Sequence, residues 1–161
     1  MSAKEVLFGS NTVHVFKEIK SKILAIPSNF EYEHIHEILF PTDLEVSFNN
    51  SQLNMLQELA ATNCSRVNAV HVSTGQELTE IQKNNIQKLE SMFKNTAFLF
   101  HQIKSMNIIE AINEFQIKHK INLLVMLNNK HSFFENLFFK NTINQIGFNL
   151  NIPFLVIPAT D

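Results

Sequence analysis

Arginine is almost missing from this chain: Arg66 is the only one in 161 residues. With a single guanidinium, two-pronged clamps on phosphate or carboxylate groups have almost no donors. Cysteine is as scarce. Cys64 stands alone, which excludes an internal disulfide and fits a reducing compartment. Tryptophan is absent and only three glycines occur, so phosphate-cradling loops have little material. No apolar run approaches the roughly 20 residues that span a bilayer. The start, MSAKEVLFGS, lacks the apolar stretch of a secretory signal. A formal net charge of -2 offers no basic footprint for nucleic acid. Together these absences point to a cytoplasmic protein that binds neither nucleic acid nor membrane.

What is present suits one domain of average size. Apolar residues make up 45% of the chain and charged ones 17%, enough for a large core under a lightly charged surface. Phe (15) and Asn are abundant. They sit in periodic segments and not in tracts, so they read as biased coding and not as an interaction surface.

Strands and helices alternate along the chain. Glu37–Pro41 (EILFP) is a short apolar run closed by Pro-Thr-Asp, a strand feeding a turn. Ser47 to Ala61 carries Leu53, Leu56, Leu59 and Ala60 at helical spacing behind capping Ser and Asn residues. Arg66–Val72 is a second strand. Glu77–Phe93 places Leu78, Ile81, Ile86, Leu89 and Phe93 on one helical face. Thr96–Ile103 is a third strand, and Ile108–His119 a helix with Ile108, Ala111, Ile112 and Phe115 inward. Ile121–Leu127 is almost wholly apolar, as a strand buried on both faces should be. Asn128–Ser132 reads as a loop, Phe134–Asn149 as the last helix and Phe154–Pro158 as the last strand. This order implies right-handed crossovers and a doubly wound α/β fold with a five-stranded parallel sheet. Leu39, Val70, Val72, Leu124, Val125 and Val156 are its expected core, and ligands are expected at the carboxyl ends of the strands.

The chain also opens with a partial copy of its ending. Leu7–Pro27 reads LFGSNTVHVFKEIKSKILAIP and Leu137–Pro158 reads LFFKNTINQIGFNLNIPFLVIP. Both begin Leu-Phe, carry Asn-Thr at the fifth and sixth positions, and finish on an apolar run capped by proline.

From Glu37 onward the pieces ILFPTD, AVHV, NLLVM and IPFLVIP, in this order and spacing, resemble the universal stress protein family. The resemblance covers nearly all of residues 36–160. It implies a Rossmann-like fold, and it explains the repeat: LFGSN resembles the step into the last helix of such a domain, and KILAIP its last strand. Residues 1–27 are then expected to be the tail of a preceding module of a tandem protein, 28–35 a linker, and 36–161 a universal stress protein-like domain. Ser10–Lys20 should be a helix with Val13, Phe16 and Ile19 inward. Lys22–Ile26 should be a strand antiparallel to Phe154–Ile157, of its own chain or of a partner's. Cover for that helix is expected from a second copy, giving a homodimer or higher oligomer through the last strand and the N-terminal segment.

Nucleotide-binding members of the family carry G-x2-G-x9-G-[ST] after the fourth strand, where glycine backbone approaches phosphate. Aligned on Met126, those four positions hold Leu127, Lys130, Lys140 and Asn141. None matches. Phe133, Phe134, Phe138 and Phe139 crowd the same region. Lys130 and Lys140 could draw phosphate only as point charges. Asp43, Val72 and Met126 match family positions near the adenosine, and Asp43 could equally cap its turn. The resemblance therefore implies a regulatory or binding module of the stress response, without ATP or another cofactor. The alternative is a nucleotide-binding stress protein with a divergent loop, using Asp43, Val72, Met126, Lys130, Lys140 and Asn141.

Other constellations carry less. His71 and Asp43 could do acid-base work, but no nucleophile with a supporting turn accompanies them, and no enzymatic activity is expected. His34-x-His36 between Glu33 and Glu37 suggests a metal site, yet such pairs in linkers are usually solvated, and no cysteine supports them. Cys64 at a helix end reads as buried packing and not as a reactive thiol. Lys17, Lys20 and Lys22 read as the wet face of the N-terminal helix.

Overall fold

The computed structural model describes residues 14–16, 18, 20–137 and 151–158. Short apolar runs bounded by Pro, Asn and Ser form the strands: β1 (Ile23–Ala25), β2 (Glu37–Pro41), β3 (Arg66–Ser73), β4 (Phe98–Lys104), β5 (Leu123–Asn128) and β6 (Phe154–Pro158). Between them lie α1 (Asn50–Asn63), α2 (Glu80–Met92), α3 (Ile108–Lys118) and the turn α4 (Phe133–Glu135). The sheet order is β1-β6-β5-β2-β3-β4. Strands β2 to β6 are all parallel, as the alternation demands.

The N-terminal strand joins this sheet as a sixth member. It runs antiparallel to β6 within one chain, pairing Ile23 with Val156 and Ala25 with Phe154. The helical residues 14–16 then lie on the same chain's sheet. Phe16 is buried and meets the rings of Phe134 and Phe154 edge-on at 5.7 and 5.6 Å. This corrects the expectation that the segment needs a second copy for cover. Ser10, Val13 and Ile19 lie outside the described residues, as do Lys17 and most of the last helix expected over 134–149.

Each face of the sheet has its own core. Leu39, Val70, Leu124, Met126, Phe154 and Val156 face Ile112 and Phe115 of α3 together with Phe16, Phe134 and Leu137. Ile38, Phe40, Val67, Ala69, Val125 and Ile157 face Leu53, Leu56 and Ala60 of α1, Leu89 of α2 and Phe93 at its C-cap. Adjacent residues on a strand take opposite faces, so each buried strand contributes to both cores. Val72 is the exception among the expected core residues: it is only half-buried, because β2 ends opposite Val70 and leaves Val72 paired with β4 alone.

Local chemistry sets the helix starts. Asn49 caps α1 by accepting from the Ser51 N–H at 2.9 Å. Thr79 caps α2 and exchanges hydrogen bonds with Gln82, a capping box. That cap starts α2 three residues later than Glu77 and turns Ile81 outward, where it is 59% exposed. Gln82 and Asn85 point inward in its place. Ile108, expected inward, is also partly exposed at the first turn of α3.

Candidate functional site

In this order β2 and β5 are neighbours, and the chain crosses to opposite sides of the sheet from them. Their carboxyl ends therefore frame the crevice where doubly wound folds bind ligands. From β2 the crevice receives Thr42 and Asp43, and from β5 Met126, Leu127, Asn129 and Ser132. Phe133 and Phe134 close it. The space left is about 20 Å³, room for about one water molecule.

The loop after β5 satisfies its own donors. The Ser132 hydroxyl accepts from the N–H groups of Asn129 and Glu135, each at 3.2 Å. The Glu135 carboxylate accepts the N–H of His131. The Ser132 N–H donates to the Asn129 carbonyl at 3.0 Å, and the Asn136 N–H to the Ser132 carbonyl at 2.9 Å. His131 adopts a left-handed conformation (φ 60) despite its side chain, a geometry that glycine takes at lower cost. An internal carboxylate and an internal hydroxyl thus sit on backbone amides of this turn, the kind of donor a phosphate would need. The Asn129 side-chain oxygen is buried with no partner among the described residues.

The residues singled out from the sequence separate in space. Asp43 and Met126 line the same small crevice. Val72 lies half-buried on the face packed by α3, away from that crevice, and Lys130 is exposed on the turn. Lys140 and Asn141 lie outside the described residues, as do Phe138, Phe139 and Gly9-Ser10. Ser132 and Glu135 were not singled out, although the spacing Ser132-x-x-Glu135 is a capping signature legible in the sequence.

Asp43 does not use its carboxylate on His71. Its Oδ1 accepts the Glu45 N–H at 3.1 Å. Burial pushes its carboxyl above the ordinary carboxylate value, against the opposing pull of the Glu45 N–H and of His71. His71 is buried and its Nδ1 lies 3.1 Å from the Thr42 carbonyl, which orients the ring as a structural donor. The rings of His34 and His36 meet edge-on at 4.7 Å, and His34 Nε2 lies 2.8 Å from the Asn63 carbonyl. Among the described residues no group of three His, Cys, Asp or Glu side chains could hold a metal ion. Cys64 is exposed, not buried: it is the left-handed cap that ends α1 (φ 53), so its side chain leaves the helix face.

No protein-family model matches the sequence. No curated protein matches it either. Solved structures do. A universal stress protein from Archaeoglobus fulgidus superposes over 98% of this chain with a TM-score of 0.64 at 13% identity. The chain has the universal stress protein fold. It spans 57% of the length of that first relative. A universal stress protein solved in complex with cAMP matches 78% of this chain and 98% of its own, with a TM-score of 0.54 and 12% identity. A universal stress protein family member from Burkholderia pseudomallei matches 80% of this chain and all of its own, with a TM-score of 0.54 and 14% identity. Among the described residues no helix is long and apolar enough to cross a membrane.

Proposed function

We propose that this chain is a universal stress protein-like regulatory or binding module without enzymatic turnover, and that it does not hold ATP in the manner of the nucleotide-binding members. One observation carries the reading: the turn after β5 spends its own N–H groups on Ser132 and Glu135, beside a crevice of about 20 Å³. A triphosphate would have to displace a tethered carboxylate and several aromatic side chains. Melting curves of the pure protein with ATP, ADP, AMP and cAMP test this. The expected result is no shift. A nucleotide present at 100 times its dissociation constant would add about 2.7 kcal/mol and refute the reading.

A second reading has one observation in its favour. A solved protein of this fold was crystallised with cAMP, a ligand smaller than ATP and with a single phosphate. In that reading Asp43 and Met126 would meet the nucleoside, and Lys130 and Lys140 the phosphate. A shift with cAMP or AMP alone would favour it.

We further infer that residues 1–27 are the tail of a preceding module and that the β1 side of the sheet is an assembly surface. The support is the repeat of residues 7–27 in 137–158 and the pairing of β1 with β6. Beside β1 an apolar groove of about 300 Å³ includes Leu24, Ile26, Tyr32, Leu59 and Leu155. Leu24 and Ile26 are 51% and 59% exposed in this groove, and a contiguous apolar patch of this kind marks a contact surface. The module acts through oligomerisation or an unidentified small ligand, in the cytoplasm.

A further inference from the structure

The opposite edge of the sheet carries a different surface. Among the described residues, strand β4 has no neighbour on its outer side. The Val67 N–H donates to the Ala97 carbonyl, and the Ser105 N–H to the Ser73 carbonyl. Between these two bonds the parallel ladder turns the odd-numbered residues of β4 toward β3. Phe98, Phe100, Gln102 and Lys104 therefore direct their backbone N–H and C=O groups outward.

Alongside this edge runs an open groove of about 640 Å³, walled by a stripe of α3 that includes Glu110, Glu114, Phe115 and Lys118, and by its C-cap His119. Its charges are ordered. Glu110 lies in the first turn of the helix, Glu114 near its middle and Lys118 in its last turn. His101 is the middle residue of β4. Its ring touches Phe115, with centroids 4.8 Å apart, so the centre of the strand is level with the centre of the stripe.

We propose that this edge receives the same edge of a second copy of this chain, antiparallel, about a two-fold axis at His101. The axis is fixed by the strand: only a pairing centred on His101 matches all of Phe98–Lys104 with itself. It opposes Phe100 and Gln102 as a hydrogen-bonded pair, so the outward groups of both strands are satisfied. It sets Leu99, which is 46% exposed, against Ile103 of the other copy. Because the axis passes near Glu114, it also sets Glu110 of one α3 against Lys118 of the other. The surface is self-complementary in charge, which an isologous contact requires. Glu114 then approaches its own copy in the groove that His101 and His119 also line. This contact is separate from any assembly at β1, which lies at the far end of the sheet.

Sedimentation equilibrium of the full chain at micromolar concentration tests the proposal. Gln102→Pro removes one outward N–H, a change edge strands tolerate, and it should weaken association by about tenfold or more. Lys118→Glu should weaken it too, and Glu110→Lys added to that variant should restore it, because the pair is exchanged across the axis. His101→Cys in a Cys64→Ser background should give a covalent dimer on mild oxidation, since facing Cα atoms at such a site are about 4.5 Å apart. If Gln102→Pro fails to fold by its melting curve, the charge exchange decides. A monomeric chain overturns the proposal, whether or not it takes up a foreign extended peptide at this edge. So does association that ignores both sets of variants, or an associated chain that does not crosslink at position 101.

Discussion

Asp43 shows how little a residue's identity says about its role. As a strand-end carboxylate it fits a ligand contact, an acid-base partner or a turn cap equally well. The structure gives it to the turn, through the Glu45 N–H. Burial raises its pKa above 3.8, and the sign has a consequence for stability. An acid with a folded-state pKa above its unfolded value imposes no penalty below the unfolded value. The penalty grows as pH rises through the folded pKa. Asp43→Asn keeps an oxygen for the Glu45 N–H and removes the charge. The variant should melt higher than the parent at neutral pH, and the gain should shrink as pH falls toward 3.8. Thermal melts across that range measure it, and a gain independent of pH would show that the buried charge is not its source. Cys64 teaches the same lesson from the other side. Its apolar character suggested burial, but the end of α1 required a left-handed residue there, and conformation overrode hydrophobicity.

Elements were legible where apolar runs met hard stops. The bounds of β2 and β6 coincide with the runs ended by Pro41 and Pro158, because proline cannot continue a ladder. Helix faces were less legible when polar groups point inward. Counting apolar residues placed Ile81 inside, whereas α2 turns Gln82 and Asn85 to the sheet side. The reason lies in another element. The segment after β2 has carbonyls without ladder partners, and the α2 amides donate to them: Gln82 Nε2 to Asp43 at 2.9 Å, Asn85 Nδ2 to Leu44 at 2.8 Å and to Val46 at 3.2 Å. A buried carbonyl without a donor costs about 1–3 kcal/mol. Asn85→Ala should therefore destabilise the chain by about that amount, read from the midpoint of denaturant unfolding. An unchanged midpoint would mean that these carbonyls find other donors. The closed turn after β5 was half-legible. The missing glycines were plain, but that Glu135 folds back onto His131 depends on a contact no alignment position predicts.

At the scale of the molecule, the parallel sheet and its two cores followed from the alternation of elements, while the pairing of β1 with the last strand followed from a repeat. The pairing of β1 with β6 agrees with that repeat in register and direction. The fate of the helix did not follow, because Phe16 found cover among Phe134 and Phe154 of its own chain. Removing residues 1–27 should therefore do two things. It empties the Phe16 site, and losing a buried Phe side chain costs about 3–5 kcal/mol. It also bares the edge of β6, an aggregation hazard. The truncated chain should unfold at lower denaturant and precipitate at concentrations the full chain tolerates. A soluble truncation with unchanged stability would show that the segment is dispensable.

The meeting of β1 with β6 also orders events in time. β1 is made before β2 to β5, yet its partner strand comes after them. It must wait unpaired while β2 to β5 assemble, because its ladder does not exist until β6 is in place. Contacts that form after the rate-limiting step slow unfolding and leave the folding rate alone. β1 should therefore act as a latch that closes last: weakening its pairing with β6 should speed unfolding in stopped-flow measurements and leave the folding rate unchanged.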